Sequence, residues 1–141
     1  MKKSLTVRWK WLKAMYIYTI ILPGITGLTV VFFPETYAEL FQFQPQDPYQ
    51  IGITGSMWFS FAILACFGFR SPLNFLPVLL FQLSYKIIWL SCVVLPLYVM
   101  GELSGYQIFF AIVMFTYVIG DLIAIPFPYV FAKEKDSFVL R

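Results

Sequence analysis

The sequence predicts an all-α integral membrane protein. The expected fold is a single up-down-up-down four-helix bundle over residues 1–141, with both termini in the cytoplasm. Three observations lead there. The chain is 60% hydrophobic and 21% aromatic but only 12% charged, against about 25% charged in soluble proteins. Four apolar runs are close to the ~20 residues that cross a bilayer as a helix. The charges that flank those runs sort by sign onto two sides.

The first span is expected at 13–33. It follows a basic arm in which Trp9 and Trp11 stand as interfacial anchors. "MKKSLTVRWKWLK" resembles the charged start of a signal peptide. The apolar run behind it is too long for one and no small-x-small cleavage site follows, so it reads as a retained span. Pro23 falls mid-span, where it removes one backbone donor and crowds the carbonyl of Thr19. An outer surface segment is expected at 34–50. Pro34 and Glu35 suit a helix start, and Pro45 and Pro48 mark the return turn.

The second span is expected at 51–69, the third at 75–100 and the fourth at 106–128. "RSPLN" and "GELSGYQ" are the short turns between them. "GITG" occurs at 24–27 and again at 52–55, and small residues let membrane helices approach closely.

Charge decides orientation. Lys2, Lys3, Arg8, Lys10 and Lys13 precede the first span, Arg70 follows the second, and Lys133, Lys135 and Arg141 follow the fourth. Glu35, Glu39, Asp47 and Glu102 lie on the other side, with no base among them. The positive-inside rule then places both termini in the cytoplasm, with the chain crossing the membrane four times. The same rule accounts for the basic arm, so no nucleic-acid partner is expected.

Inside the spans, two charges stand out. Lys86 is the one base at membrane depth and Asp121 the one acid. A charge at the centre of a bilayer costs about 2.5–3.5 kcal/mol on insertion scales, so each needs a reason. At 100° per residue, Gln82, Tyr85, Lys86, Trp89 and Val93 share a face of the third helix. Gln107, Phe110, Met114, Tyr117 and Asp121 share a face of the fourth. Lys86 and Asp121 are offset by several ångströms in depth, a gap the lysine stem covers by snorkelling. An ion pair is therefore expected, in a polar site made of Lys86, Asp121, Gln82, Tyr85, Trp89 and Tyr117. Its alternative meaning is purely structural, as a lock on helix register. Serines and threonines elsewhere in the spans are expected to bond back to their own helices.

"GLTVVFFPETYAELFQF" followed by "YQIGITGSMWFSFAILACFGFRSPL" resembles the DoxX-like group of small four-span bacterial membrane proteins. In both, a first span ends in Pro-Glu before a short surface segment, and the second span opens with small residues. The resemblance covers about the first three spans. It implies the four-span fold and an association with respiratory or redox membrane complexes, and it transfers no catalytic residue.

The chain has no histidine, and its two cysteines, Cys66 and Cys92, form no CxxC pair. No catalytic residue, metal ligand or cofactor is assigned from such a set. The leading expectation is a non-enzymatic membrane protein. It acts as an accessory or interaction subunit, or as a binder of a lipid- or quinone-like molecule between its helices. Its partners are the bilayer, that molecule, and a membrane protein or a second copy. A proton-coupled transporter using Asp121 and Lys86, and a lipid-modifying enzyme using the pair for acid-base work, remain the alternatives.

Overall fold

The computed structural model describes residues 3–41, 47–132 and 138–140. Lys2, Pro45 and the tail charges Lys133, Glu134, Lys135, Asp136 and Arg141 lie outside the described residues. The chain is helical through four long stretches of 24, 23, 25 and 20 residues: Trp9–Phe32, Pro48–Arg70, Leu76–Met100 and Gly105–Ala124. Each is long and apolar enough to cross a membrane, as expected of a multi-pass membrane protein.

Helix α1 is Trp9–Phe32 and contains Pro23. A short helix, α2, follows at Pro34–Phe41, with Pro34 at its start and Glu35 in its first turn. Helix α3 is Pro48–Arg70. The Asp47 carboxylate caps it by accepting from the Tyr49 N–H at 2.9 Å, which satisfies one of the donors a helix start leaves open.

The third long stretch is not one regular helix. Helix α4, Leu76–Trp89, passes through a π-turn at Leu90–Val94 into α5, Leu95–Met100. Pro96 explains the wide turn. A proline has no N–H to give and its ring crowds the preceding turn, and an i→i+5 loop accommodates both faults. The inserted residue also rotates everything beyond it. Val93, expected on the face of Gln82 and Lys86, is therefore 44% exposed instead. Gly101 ends α5 with φ of 73°, and Glu102 N–H reaches back to the Leu97 carbonyl at 3.0 Å, a Schellman closure that favours glycine.

Helix α6, Gly105–Ala124, opens with a reciprocal cap. The Ser104 hydroxyl accepts from the Gln107 N–H, and the Gln107 side chain accepts from the Ser104 N–H at 2.9 Å. The cap therefore occupies Gln107. The helix stops at Ala124, because Pro126 pushes Ile125 into an extended conformation. One further turn, α7, is Phe127–Val130. Short strands β1 (Lys3–Leu5) and β2 (Phe138–Leu140) pair in parallel, with Ser4 opposite Val139.

Helices α1 and α3 make the closest contact, and the repeated "GITG" lies in it. A Cβ on Gly27 would stand 2.5 Å from the Phe59 amide nitrogen and 2.9 Å from the Gly55 carbonyl. One on Gly55 would meet Val30 at 2.5 Å. Further along the same pair, the Tyr16 ring lies on Gly68, where no Cβ fits, and its hydroxyl donates to the Pro72 carbonyl at 2.7 Å. At Gly52, the first glycine of the second copy, an added Cβ would meet nothing within 4 Å.

Large apolar side chains line the outside. Ile17, Ile21, Ile25, Phe67, Ile88, Phe109, Ile112 and Phe115 are all exposed. In water such a surface is an aggregation hazard; against lipid tails it is the natural one. Cys66 and Cys92 are both free and both exposed.

Candidate functional site

The interior reverses the usual order, because several of its most deeply buried side chains are polar. Thr19, Gln82, Lys86 and Asp121 each have 0% exposure. Thr19 comes from α1, Gln82 and Lys86 from α4 one turn apart, and Asp121 from α6. They sit among Tyr16, Leu79 and Tyr117, which are equally buried.

Lys86 organises the group. Its ammonium stands over two aromatic faces, 4.6 Å from the Tyr85 ring centre and 4.3 Å from that of Tyr117. Ring faces are electron-rich, and a cation stripped of water gains most from them. The ammonium also donates to Gln82 Oε1 at 3.4 Å. Because an ammonium only donates, the Gln82 oxygen must face it. That oxygen also lies 3.2 Å from the Thr19 hydroxyl, whose proton is shared with the Met15 carbonyl at 2.8 Å.

The aromatic walls are themselves pinned. Tyr117 stacks on Tyr18 with ring centres 4.0 Å apart and planes 10° from parallel. Its hydroxyl donates to the Tyr18 carbonyl at 2.9 Å, and the Tyr18 hydroxyl pairs with Thr116 at 2.9 Å. Tyr85 stacks on Phe61 at 5.9 Å, and the Trp58 side chain approaches its hydroxyl.

The expected direct ion pair is absent from this arrangement. Asp121 is close enough to Lys86 to interact electrostatically, but both its oxygens are buried with no hydrogen-bond partner among the described residues. The same holds for Gln82 Nε2. The reason is positional. Tyr117 lies one turn before Asp121 on α6, and it is the Tyr117 ring that the ammonium meets. The long stem of Lys86 does not run down to the carboxylate.

Five of the six expected site residues thus gather here: Lys86, Gln82, Tyr85, Tyr117 and, behind them, Asp121. Trp89 stands one turn further along, edge-on to Phe110 at 6.0 Å. Thr19 and Trp58 also belong to the site, and residue type alone did not single them out. Thr19 had a signal, since it lies on the α1 stripe of Leu12, Met15, Tyr16, Pro23 and Gly27, all buried. Thr26 and Thr29, as expected of threonines in the spans, bond back to the carbonyls of Leu22 and Ile25 at 2.7 and 2.8 Å. Ser60, Ser84 and Ser91 do the same within their own helices.

Above Lys86 the helices part. A cavity of about 230 Å³ has Tyr18, Pro23, Trp58, Tyr85, Phe110 and Met114 in its wall, and Lys86 is the one charged side chain among the described residues that lines it. A second cavity of about 400 Å³ adjoins it. The two share Trp58, Tyr85, Phe110 and Met114, and the second adds Tyr37, Met57 and Trp89. Helix α2 lies against both, with Phe41 in the wall of the first and Tyr37 in that of the second. Tyr37 is held edge-on to Trp58 at 6.4 Å, and Phe41 to Phe110 at 5.7 Å. Asp121 lines neither cavity.

No protein-family model matches this chain, and neither a curated protein nor a solved structure is detectably similar to it. The functional reading therefore rests on the site alone. Chemically, the site offers an apolar, aromatic chamber with one buried ammonium at its base. Such a chamber suits a molecule with a polar head and an apolar body.

Proposed function

We propose that the chain is a non-enzymatic, multi-pass protein of a bacterial inner membrane that holds a lipid- or quinone-like amphiphile between its helices. In this reading it serves as an accessory or interaction subunit of a membrane assembly or of its own oligomer. The observation that carries it is the cavity beside Lys86: aromatic walls, one charged group, and a covering helix. The spans alternate up and down, with the basic flanks of α1 and α3 in the cytoplasm and Glu35, Glu39, Asp47 and Glu102 outside. Kinship with the DoxX-like proteins is part of the proposal and rests on the Pro34–Glu35 junction and the small residues that open α3.

The transporter reading is weaker because the described residues form no polar path. Ser91 bonds to the Ile87 carbonyl, Gln107 is part of the cap, and Thr26 and Thr29 are turned onto their own helix. The enzyme reading needs Lys86 and Asp121 on one substrate, and Asp121 stands outside the cavity wall.

The test is extraction of the protein purified in mild detergent, followed by mass spectrometry of what comes with it. Met114 lines both cavities, so Met114→Trp fills them. The wild type is expected to carry one amphiphile class in near-equal amount to protein, and the variant to lose most of it. Equal carriage by both proteins overturns the proposal.

A further inference from the structure

Taking the cavity to be a binding site, as proposed above, its charge balance selects what kind of head group it accepts. Lys86 and Asp121 are both fully buried and within electrostatic range of each other. A lone buried charge costs far more than a compensated pair. The state of least cost for the two is therefore one of zero net charge, whether as ammonium and carboxylate or as amine and acid. Of the two, only Lys86 lines the cavity; Asp121 is not part of its wall. The countercharge is thus already supplied from within the protein, outside the cavity wall.

Lys86 has a single hydrogen-bond acceptor among the described residues. An ammonium has three N–H donors. One points at Gln82 Oε1 at a long 3.4 Å. The ring faces of Tyr85 and Tyr117 attract the charge but accept no conventional hydrogen bond. What the site lacks is an acceptor, and a second negative charge would be surplus. An anionic head, such as a phosphate monoester, would leave a net negative charge in an apolar chamber. An uncharged oxygen acceptor would not.

We infer that the cavity binds an amphiphile whose head is uncharged and carries a carbonyl oxygen, which accepts from Lys86, and that Asp121 is what excludes anionic lipid heads. Size agrees with this. At about 230 Å³ the chamber beside Lys86 takes one compact head, and the adjoining cavity of about 400 Å³ takes apolar parts of the molecule. Two sources share this chemistry, a quinone ring and the ester carbonyls of a diacylglycerol.

The experiment uses the full chain in detergent with three probes: a decyl-substituted benzoquinone, dioctanoylglycerol and dioctanoylphosphatidic acid. Native mass spectrometry at neutral pH gives the bound fraction of each. At least one of the two uncharged probes is expected to bind about tenfold or more tightly than the phosphatidic acid, and which of them does so names the source. Asp121→Asn removes the internal countercharge while keeping the shape, so it should reverse the preference in favour of the phosphatidic acid. Lys86→Met combined with Asp121→Asn, which leaves no lone charge, should lose about tenfold in affinity for the uncharged probe.

Preference of the wild type for the phosphatidic acid overturns the inference but leaves the cavity a binding site. An unchanged preference in Asp121→Asn overturns the role of Asp121. Failure of all three probes to bind removes both this inference and the function on which it rests. If Asp121→Asn does not fold, Asp121→Leu paired with Lys86→Gln restores neutrality. That pair should bind the uncharged probe through the remaining amide and still refuse the phosphatidic acid; equal binding of both overturns the inference.

Discussion

Lys86 shows how a membrane protein keeps a charge at depth. Its ammonium shares its field among two ring faces and one amide oxygen, with Asp121 in electrostatic reach but not in contact. The sequence marked both charges and the right faces, because period 3.6 and the rarity of intramembrane charge are both readable from one chain. It did not show that Tyr117 would take the place nearest the ammonium. That depends on how α4 and α6 are offset along their axes, which spacing within a helix does not contain. A coupling without direct contact has a consequence for stability. Lys86→Met and Asp121→Asn are each expected to lower stability in detergent by about 1–3 kcal/mol, because each leaves the other group uncompensated. The double change should recover part of the loss, by less than the ~3–5 kcal/mol seen when a contacting buried pair is broken. Thermal unfolding of the four proteins gives the cycle. Strict additivity contradicts the coupling.

Among the elements, the α1–α3 contact gives the cleanest comparison, since its two "GITG" copies differ in their surroundings. Gly27→Ala drives a methyl group into the Phe59 and Gly55 backbones, which have no flexible end to yield. The expected cost is about 1–3 kcal/mol. Gly52 faces open space, so Gly52→Ala should be neutral or gain up to about 1 kcal/mol from helix propensity. Unfolding of the two variants side by side checks both, and equal effects would mean that the two helices do not meet through Gly27. The repeat was visible in the sequence, but its unequal use was not, because which glycine meets a backbone is decided by the crossing. The π-turn was hidden for a similar reason. Pro96 announced a disturbance, but whether a helix answers with a kink, a stop or a wider turn depends on its neighbours. Helix α2 offers a pH test. Burial of the Tyr37 phenol, 3% exposed, pushes its pKa from 10.0 up to about 12. The unfolded form therefore loses its proton first as pH rises. The stability that Tyr37 contributes is complete below pH ~10 and is lost as pH climbs through about 12, up to ~2–3 kcal/mol from a shift of this size. Fluorescence of Trp58, which Tyr37 meets edge-on, is expected to change in that window. In Tyr37→Phe the change should vanish, and its persistence would place the transition elsewhere.

On the scale of the whole molecule, apolar side chains face outward and polar ones cluster within, the layout expected where the solvent is lipid. Composition and run length alone made this legible, since four helices of 20 or more residues leave few soluble alternatives. The cavity was not legible at all. It arises where α1, α3, α4 and α6 separate above Lys86, and its walls are aromatic residues that in sequence look like ordinary core and interface. With Arg8, Lys10, Lys13 and Arg70 all on one side of the spans, reporter fusions to both termini should give cytoplasmic signals, and tags beside Asp47 and Glu102 should give periplasmic ones. A periplasmic terminus contradicts the orientation. The central claim is that the chamber beside Lys86 holds an amphiphile, and site-specific photocrosslinking tests it most directly. Benzoylphenylalanine replaces Phe110, in the wall of both cavities, or Phe115, 54% exposed on the outer surface. The protein is washed extensively in detergent, then irradiated, and the adduct is read as intact mass. The expected result is one defined lipid-sized adduct at position 110 and none at 115. No adduct at 110, or the same mixture of masses at both positions, would contradict it.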